Sequence, residues 1–148
     1  MIKFGIPSME TVVDRFPGQA VITLHELEKP SSKRRFTLSK TAAEQLGVEP
    51  GLSKVGFSFD GGNYIAVIPD SVQAIASKDR LPVNKELTFI SKEAYDYMTT
   101  KFGLSSEISN HLVIEKVEDV YGMKVGSFSS TPLAEVVSTP TAAQTDFV

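Results

Sequence analysis

The chain contains no cysteine, so disulfide staples, thiolate nucleophiles and sulfur-rich metal sites are excluded, and a reducing compartment is the natural expectation. It contains no tryptophan either, so any aromatic core must be built from its nine phenylalanines and four tyrosines. It lacks an apolar run near the roughly 20 residues that a membrane-spanning helix needs. The opening residues, MIKFGIPSME, lack the apolar centre of a signal peptide. Together these point to a cytoplasmic protein without a membrane partner, or to a virion component. The two histidines, His25 and His111, have no carboxylate at metal-ligand spacing, so no metal is expected. The DGGN stretch lies in a hairpin turn, not ahead of a helix, so it is not a phosphate loop. No G-x-S-x-G or comparable nucleophile setting occurs, so the chain is expected not to be an enzyme and to need no cofactor.

What is present is an ordinary globular composition, 41% hydrophobic and 22% charged, which places the 148 residues among folded domains rather than disordered chains. Charge is unevenly spread. The net charge is −3, yet Glu28 to Lys40 carries five bases and one acid. The bases are Lys29, Lys33, Arg34, Arg35 and Lys40. The remainder therefore carries −7. Global acidity opposes a generic polyanion binder, whereas a local basic stripe on an acidic body suits directed contact with phosphates. A solvated loop is the competing reading of the same stripe.

Shifting the chain by 52 residues aligns EKPSSKRRFTLSKTAAEQLGVEPGLS with RLPVNKELTFISKEAYDYMTTKFGLS without a gap. Pro30 meets Pro82, Lys33 meets Lys85, Ser39-Lys40 meets Ser91-Lys92, Ala42 meets Ala94, and Gly51-Leu52-Ser53 meets Gly103-Leu104-Ser105. Such a frame argues for internal duplication. Each copy has the same local grammar. RRFTLS and ELTFI alternate as strands do. Ser39 and Ser91 can cap the helices that follow, TAAEQL and KEAYDYMTTKF. Gly47 and Gly103 can take the left-handed position that ends them. Hairpins are expected around Asp60-Gly61-Gly62-Asn63 and around Glu118-Asp119. A preceding strand is expected in AVITLHE and in SVQAIAS. The fold class is then α+β to mainly β. It would be a small barrel from two tandem β-β-α-β-β units related by an internal pseudo-twofold. Residues 1–19 form an extension, 20–71 and 72–127 the units, and 128–148 an extended or disordered arm rich in Ser, Thr and Pro.

The segment RRFTLSKTAAEQLGVEPGLSKVGFSFDGGNYIAVIP resembles the AbrB/MazE/SpoVT-type swapped-hairpin domain. Arg35, Thr37, Leu38, Lys40, Leu46-Gly47 and Pro50-Gly51 stand at matching places, with Ser39 where that family usually has proline. Two copies in one chain resemble the MraZ-type arrangement. The resemblance implies a transcription-regulator type of DNA-binding protein whose first inter-strand loop meets duplex DNA. By position, Lys29, Lys33, Arg34 and Arg35 would face phosphates or groove edges, with Lys40 beyond them. The second copy departs from this: its loop keeps Lys78, Arg80 and Lys85 but has Glu86 and Leu87 in place of the two arginines. The alternatives are a structural or interaction protein that self-assembles through its terminal arms, and a single-stranded nucleic acid binder using Phe57, Phe59 and Tyr64 as a stacking platform. Burial of those rings in the core is the preferred reading. On the second helix, Tyr95 and Tyr97 are two residues apart, so one of them should face the core.

Overall fold

A computed structural model describes residues 16–133. The elements follow in the order β1 (Val21–Leu24), β2 (Arg35–Leu38), α1 (Lys40–Leu46), β3 (Lys54–Ser58), β4 (Tyr64–Val67), a 3-10 turn (Ser77–Asp79), β5 (Leu81–Pro82), β6 (Thr88–Ile90), α2 (Lys92–Phe102), β7 (Asn110–Val120) and β8 (Met123–Phe128). All eight strands join one antiparallel sheet in the order β5-β3-β4-β8-β7-β1-β2-β6. Its two edges come together through the chain that links them. Val83 N donates to Ser53 O (3.0 Å) on the β3 side, Leu38 N to Leu87 O (2.9 Å) on the β2 side, and Asn84 N to Thr88 O (2.9 Å) across the gap. The result is a nearly closed barrel with two helices, which leaves little free edge for aggregation.

The strand alternation that marked Arg35–Leu38 sends Phe36 and Leu38 inward. Phe36 pairs with Phe89 across β2 and β6, and their rings stack at 5.1 Å. Phe57 packs tilted on Phe36 at 5.2 Å and edge-on to Phe128 at 5.9 Å. Ile22, Leu24, Val55, Ile65, Leu112 and Ile114 fill the rest of the interior. Helix α1 buries Ala42, Ala43 and Leu46. Helix α2 buries Tyr95 and Met98 and leaves Tyr97 42% exposed, so Tyr95 is the inward tyrosine.

Both helices start as their sequences suggest. Ser39 Oγ accepts from Ala42 N and Ser91 Oγ from Ala94 N, so the 52-residue frame holds at the caps, though not in the strands before them: Phe36 and Leu38 are buried, whereas Thr88 and Ile90 are not. It slips by the helix ends. The chain leaves α1 at Gly47 (φ 76°) and α2 at Gly103 (φ 70°), because α2 has 11 residues and α1 has 7. Gly51, aligned with Gly103 by the repeat, lies instead one turn past α1, where its N donates to Val83 O. Ser39 does more than cap: its Oγ also accepts from Val21 N (2.9 Å) and donates to Gln19 O (2.7 Å), tying the start of α1 to the start of β1. Ser91→Ala should cost about 1 kcal/mol, as for an ordinary cap, and Ser39→Ala about 2 kcal/mol. Urea unfolding of the two variants checks the difference.

Three expectations are corrected. SVQAIAS is not a strand: the chain turns at Val72, whose N donates to Pro69 O, and enters the 3-10 turn at Ser77. Val72 and Ile75 are three apart, which is not strand alternation. The strand is Leu81–Pro82, where Leu81 and Val83 reach the core. The second hairpin does not turn at Glu118-Asp119. Strand β7 continues to Val120, and the turn is Tyr121-Gly122, with φ of 50° and 83°. A two-residue turn of this kind needs positive φ at both positions, which glycine adopts freely and tyrosine rarely. Phe128, placed by the sequence in the C-terminal arm, completes β8 and is buried. Ser129 N and Leu133 N then donate to Val113 O and His111 O, so the first residues of the arm lie along β7. The rest of the arm and residues 1–15 lie outside the described residues.

Candidate nucleic-acid interface

The basic stripe is mostly one loop, residues 25–34, between β1 and β2. His25 N donates to Arg35 O (3.0 Å) and closes its base. At its tip, Lys29-Pro30-Ser31-Ser32 forms a tight turn, with Ser32 N donating to Lys29 O and Lys29 N to Ser32 Oγ. Pro30 sits where the fixed φ of proline favours such a turn. The first leg is pinned to the second half of the chain. Tyr95 Oη donates to His25 O (2.6 Å), Leu27 N to Ser106 O (2.8 Å), and Glu26 N to Ser109 Oγ (3.2 Å).

Arg34 pins the other leg. Its Nη1 donates to Pro30 O (2.8 Å) and Ser32 O (3.0 Å), so the guanidinium holds the turn closed. Its Nε lies 3.5 Å from Asp96 Oδ1 on α2, and its side chain is 20% exposed. The buried Nε makes no hydrogen bond, and Asp96 meets its charge. Lys92 Nζ donates to the other carboxylate oxygen of Asp96 at 2.8 Å. The bond from Lys92, with the two nearby cations, holds the Asp96 carboxyl below its ordinary pKa despite partial desolvation. Burial raises the pKa of Tyr95, against the pull of Arg34, so its hydroxyl stays a donor at neutral pH.

The five predicted contact residues therefore separate. Lys33 and Arg35 flank the inward Arg34 and are exposed, as alternation in an extended segment requires. Lys29 is exposed beside the tip. None of these three has an ion-pair partner among the described residues. Arg34 is spent inside the protein. Lys40 is exposed on α1, five residues along the extended chain from Arg35, roughly 16 Å away. Lys29, Lys33 and Arg35 are thus exposed on the loop and at its base, and Lys40 stands on α1. Sequence reasoning missed Asp96, whose only signal was that it aligned with an acid, Glu44, in the repeat, and it read Tyr95 only as one of two tyrosines that could face the core.

The corresponding loop of the second half is residues 83–87. Asn84 Oδ1 accepts from both Glu86 N and Thr88 N and folds it tightly, with Leu87 at φ 62° packed toward the core. Arg80 is occupied: Nε donates to Ile75 O (3.2 Å) and Nη1 to Pro69 O (3.0 Å).

Other candidate groups have structural partners. His111 Nδ1 is hydrogen-bonded to Thr23 Oγ1 (2.8 Å) and His25 Nε2 to Thr37 Oγ1 (2.6 Å). Among the described residues no group of three His, Asp or Glu could hold a metal ion. No helix among them is long and apolar enough to cross a membrane. Glu118 and Asp119 pair with Lys116 and Lys124 on an exposed hairpin. Phe57 and Phe59 pack against the core, and Phe59 packs tilted on Tyr97 at 4.4 Å. Tyr64 folds its hydroxyl back to Gly61 O (3.3 Å). A shallow groove of about 550 Å³ along α2, lined by Lys92, Glu93, Asp96, Tyr97, Thr100 and Lys101, carries charges of both signs and so no field of one sign for a ligand. No protein-family model, curated protein or solved structure matches the chain significantly.

Proposed function

We propose that this is a non-catalytic duplex-DNA-binding protein of the AbrB-like transcription-regulator type, built from two tandem β-β-α-β-β units, that grips the phosphate backbone through its first inter-strand loop. The observation that carries the reading is the loop itself. Three unpaired cations, Lys29, Lys33 and Arg35, are displayed on a segment that Arg34, Tyr95 and backbone bonds hold in one shape. A solvated charge run needs no such framework. Preorganisation lowers the ordering entropy that binding would otherwise cost.

The strand pairing supports the tandem plan. Exchange β1–β4 for β5–β8 and the ladder β1–β7 becomes β5–β3, β3–β4 becomes β7–β8, and β2–β6 and β4–β8 each become themselves, while β1–β2 has as its counterpart only the bond from Asn84 N to Thr88 O between β5 and β6. The serine caps, 52 residues apart, support it too.

Three phosphate contacts predict a log–log salt slope of about −2.7 for a duplex of about 20 base pairs, or about 40-fold weaker binding as salt rises from about 50 to about 200 mM. Fluorescence anisotropy on a mixed-sequence duplex pool tests this; absence of binding at the lower salt contradicts it.

A second reading, an assembly or virion component, is favoured by one feature. The β7–β8 hairpin runs past its neighbours: β7 pairs with β1 only at Asn110–Val113 and β8 with β4 only at Val125–Ser127. Tyr121 at the tip is 99% exposed and Val120 is 39% exposed. A projecting two-stranded ribbon with an aromatic tip suits contact with another protein. Concentration-dependent association that Tyr121→Ser abolishes, without duplex binding, would favour this reading.

A further inference from the structure

We infer that the DNA contact, resting on the function proposed above, is one-sided: a single barrel holds one stretch of phosphate backbone through Lys29, Lys33 and Arg35 and has no equivalent second arm. A tandem pseudo-dimer would be expected to read a palindrome, because two equal arms demand two equal half-sites. The two arms here are unequal in length, charge and availability.

The first loop has ten residues between its strands and the second has five. Counted through the first residue of the following strand, 25–35 carry four bases and two acids, a net +2, whereas 83–88 carry Lys85 and Glu86, a net zero. The first loop is braced from outside itself, by α2 and by the α2–β7 connection, which frees its outer edge. The second is folded on its own Asn84 side chain, with Leu87 committed to the core. The arginine nearest the second loop, Arg80, has its guanidinium turned onto two carbonyls. Only Lys78 and Lys85 remain there, and the stem of Lys85 lies over Gly51, its Cγ 3.3 Å from where a Cβ would stand. The favoured target is therefore a non-palindromic duplex bound by one barrel.

The test uses the full chain, the same labelled duplex pool and a salt series. Lys29→Ala/Lys33→Ala/Arg35→Ala should bring the slope from about −2.7 to near zero, and each single substitution should lessen it by about 0.9. These side chains are exposed and unpaired, so the thermal midpoint should hold. Lys78→Ala/Lys85→Ala should leave slope and affinity unchanged. If the double variant flattens the slope by about 1.8, both arms engage and the inference is overturned while the proposed function stands. If the wild-type chain binds no duplex at about 50 mM salt, the proposed function falls and this inference falls with it.

Discussion

Replacing Phe36 by alanine should destabilise the protein by about 3–5 kcal/mol, the range for emptying a large aromatic site in a packed core. Phe36 is fully buried and touches three rings: stacked on Phe89 (5.1 Å), tilted on Phe57 (5.2 Å) and edge-on to Tyr95 (5.9 Å). These rings come from β6, β3 and α2, so the cavity would open where both halves of the chain meet. A domain of this size has a total stability of roughly 5–15 kcal/mol, so the variant should lose a large part of it. Phe36→Leu keeps much of the volume and should cost clearly less. Urea unfolding of both variants gives the comparison. Equal, small losses would mean that the aromatic cluster does not hold the halves together.

The second large effect is expected at Arg34. Alanine there removes two charge-assisted bonds to loop carbonyls and leaves Asp96 with Lys92 alone. Bonds of this type are worth about 1.5–3 kcal/mol when broken, and the low exposure of Arg34 argues against strong screening. Lysine cannot span both carbonyls and the carboxylate with one planar fork, so Arg34→Lys should rescue little. Arg35→Ala, at an exposed side chain, should be nearly neutral for stability. Two adjacent arginines should therefore give opposite results: Arg34 governs unfolding, and Arg35 governs the salt slope of binding. The pH dependence follows from Asp96. Its folded pKa is depressed, so its contribution is present above the unfolded value of about 4 and fades as pH falls through the folded value. The stability difference between wild type and Asp96→Asn should shrink below about pH 4. A difference that grows on acidification would contradict the assignment.

These two cases show what was legible in the sequence. Local grammar was: Ser39 and Ser91 as caps, Gly47 and Gly103 as stops and the hydrophobic alternation of RRFTL each depend on residues within one turn or strand. The barrel was legible because short strands and hairpins cannot bury a face alone and must close on one another. The strand Leu81–Pro82 was not, because two residues show no period and its pairing is set by Lys54 and Val55 elsewhere in the chain. The turn at Tyr121 was hidden because the charged pair Glu118-Asp119 looks more turn-like than a tyrosine does. In the site, the basic stripe identified the loop, but composition could not tell the inward Arg34 from the outward Arg35. That distinction depends on Asp96, a residue of the other half of the chain brought there by the pairing of β2 with β6.

The proposed role for Lys29, Lys33 and Arg35 is tested most directly by following backbone amide resonances of the uniformly labelled chain as a short mixed-sequence duplex is added at low salt. The account predicts shifts concentrated from Lys29 to Arg35, with lesser changes at Tyr95 and Asp96, where α2 braces the loop, and none at Asn84–Thr88 or at the Val120–Met123 tip. Shifts centred on the β7–β8 tip, or no shifts at any duplex concentration, would contradict it.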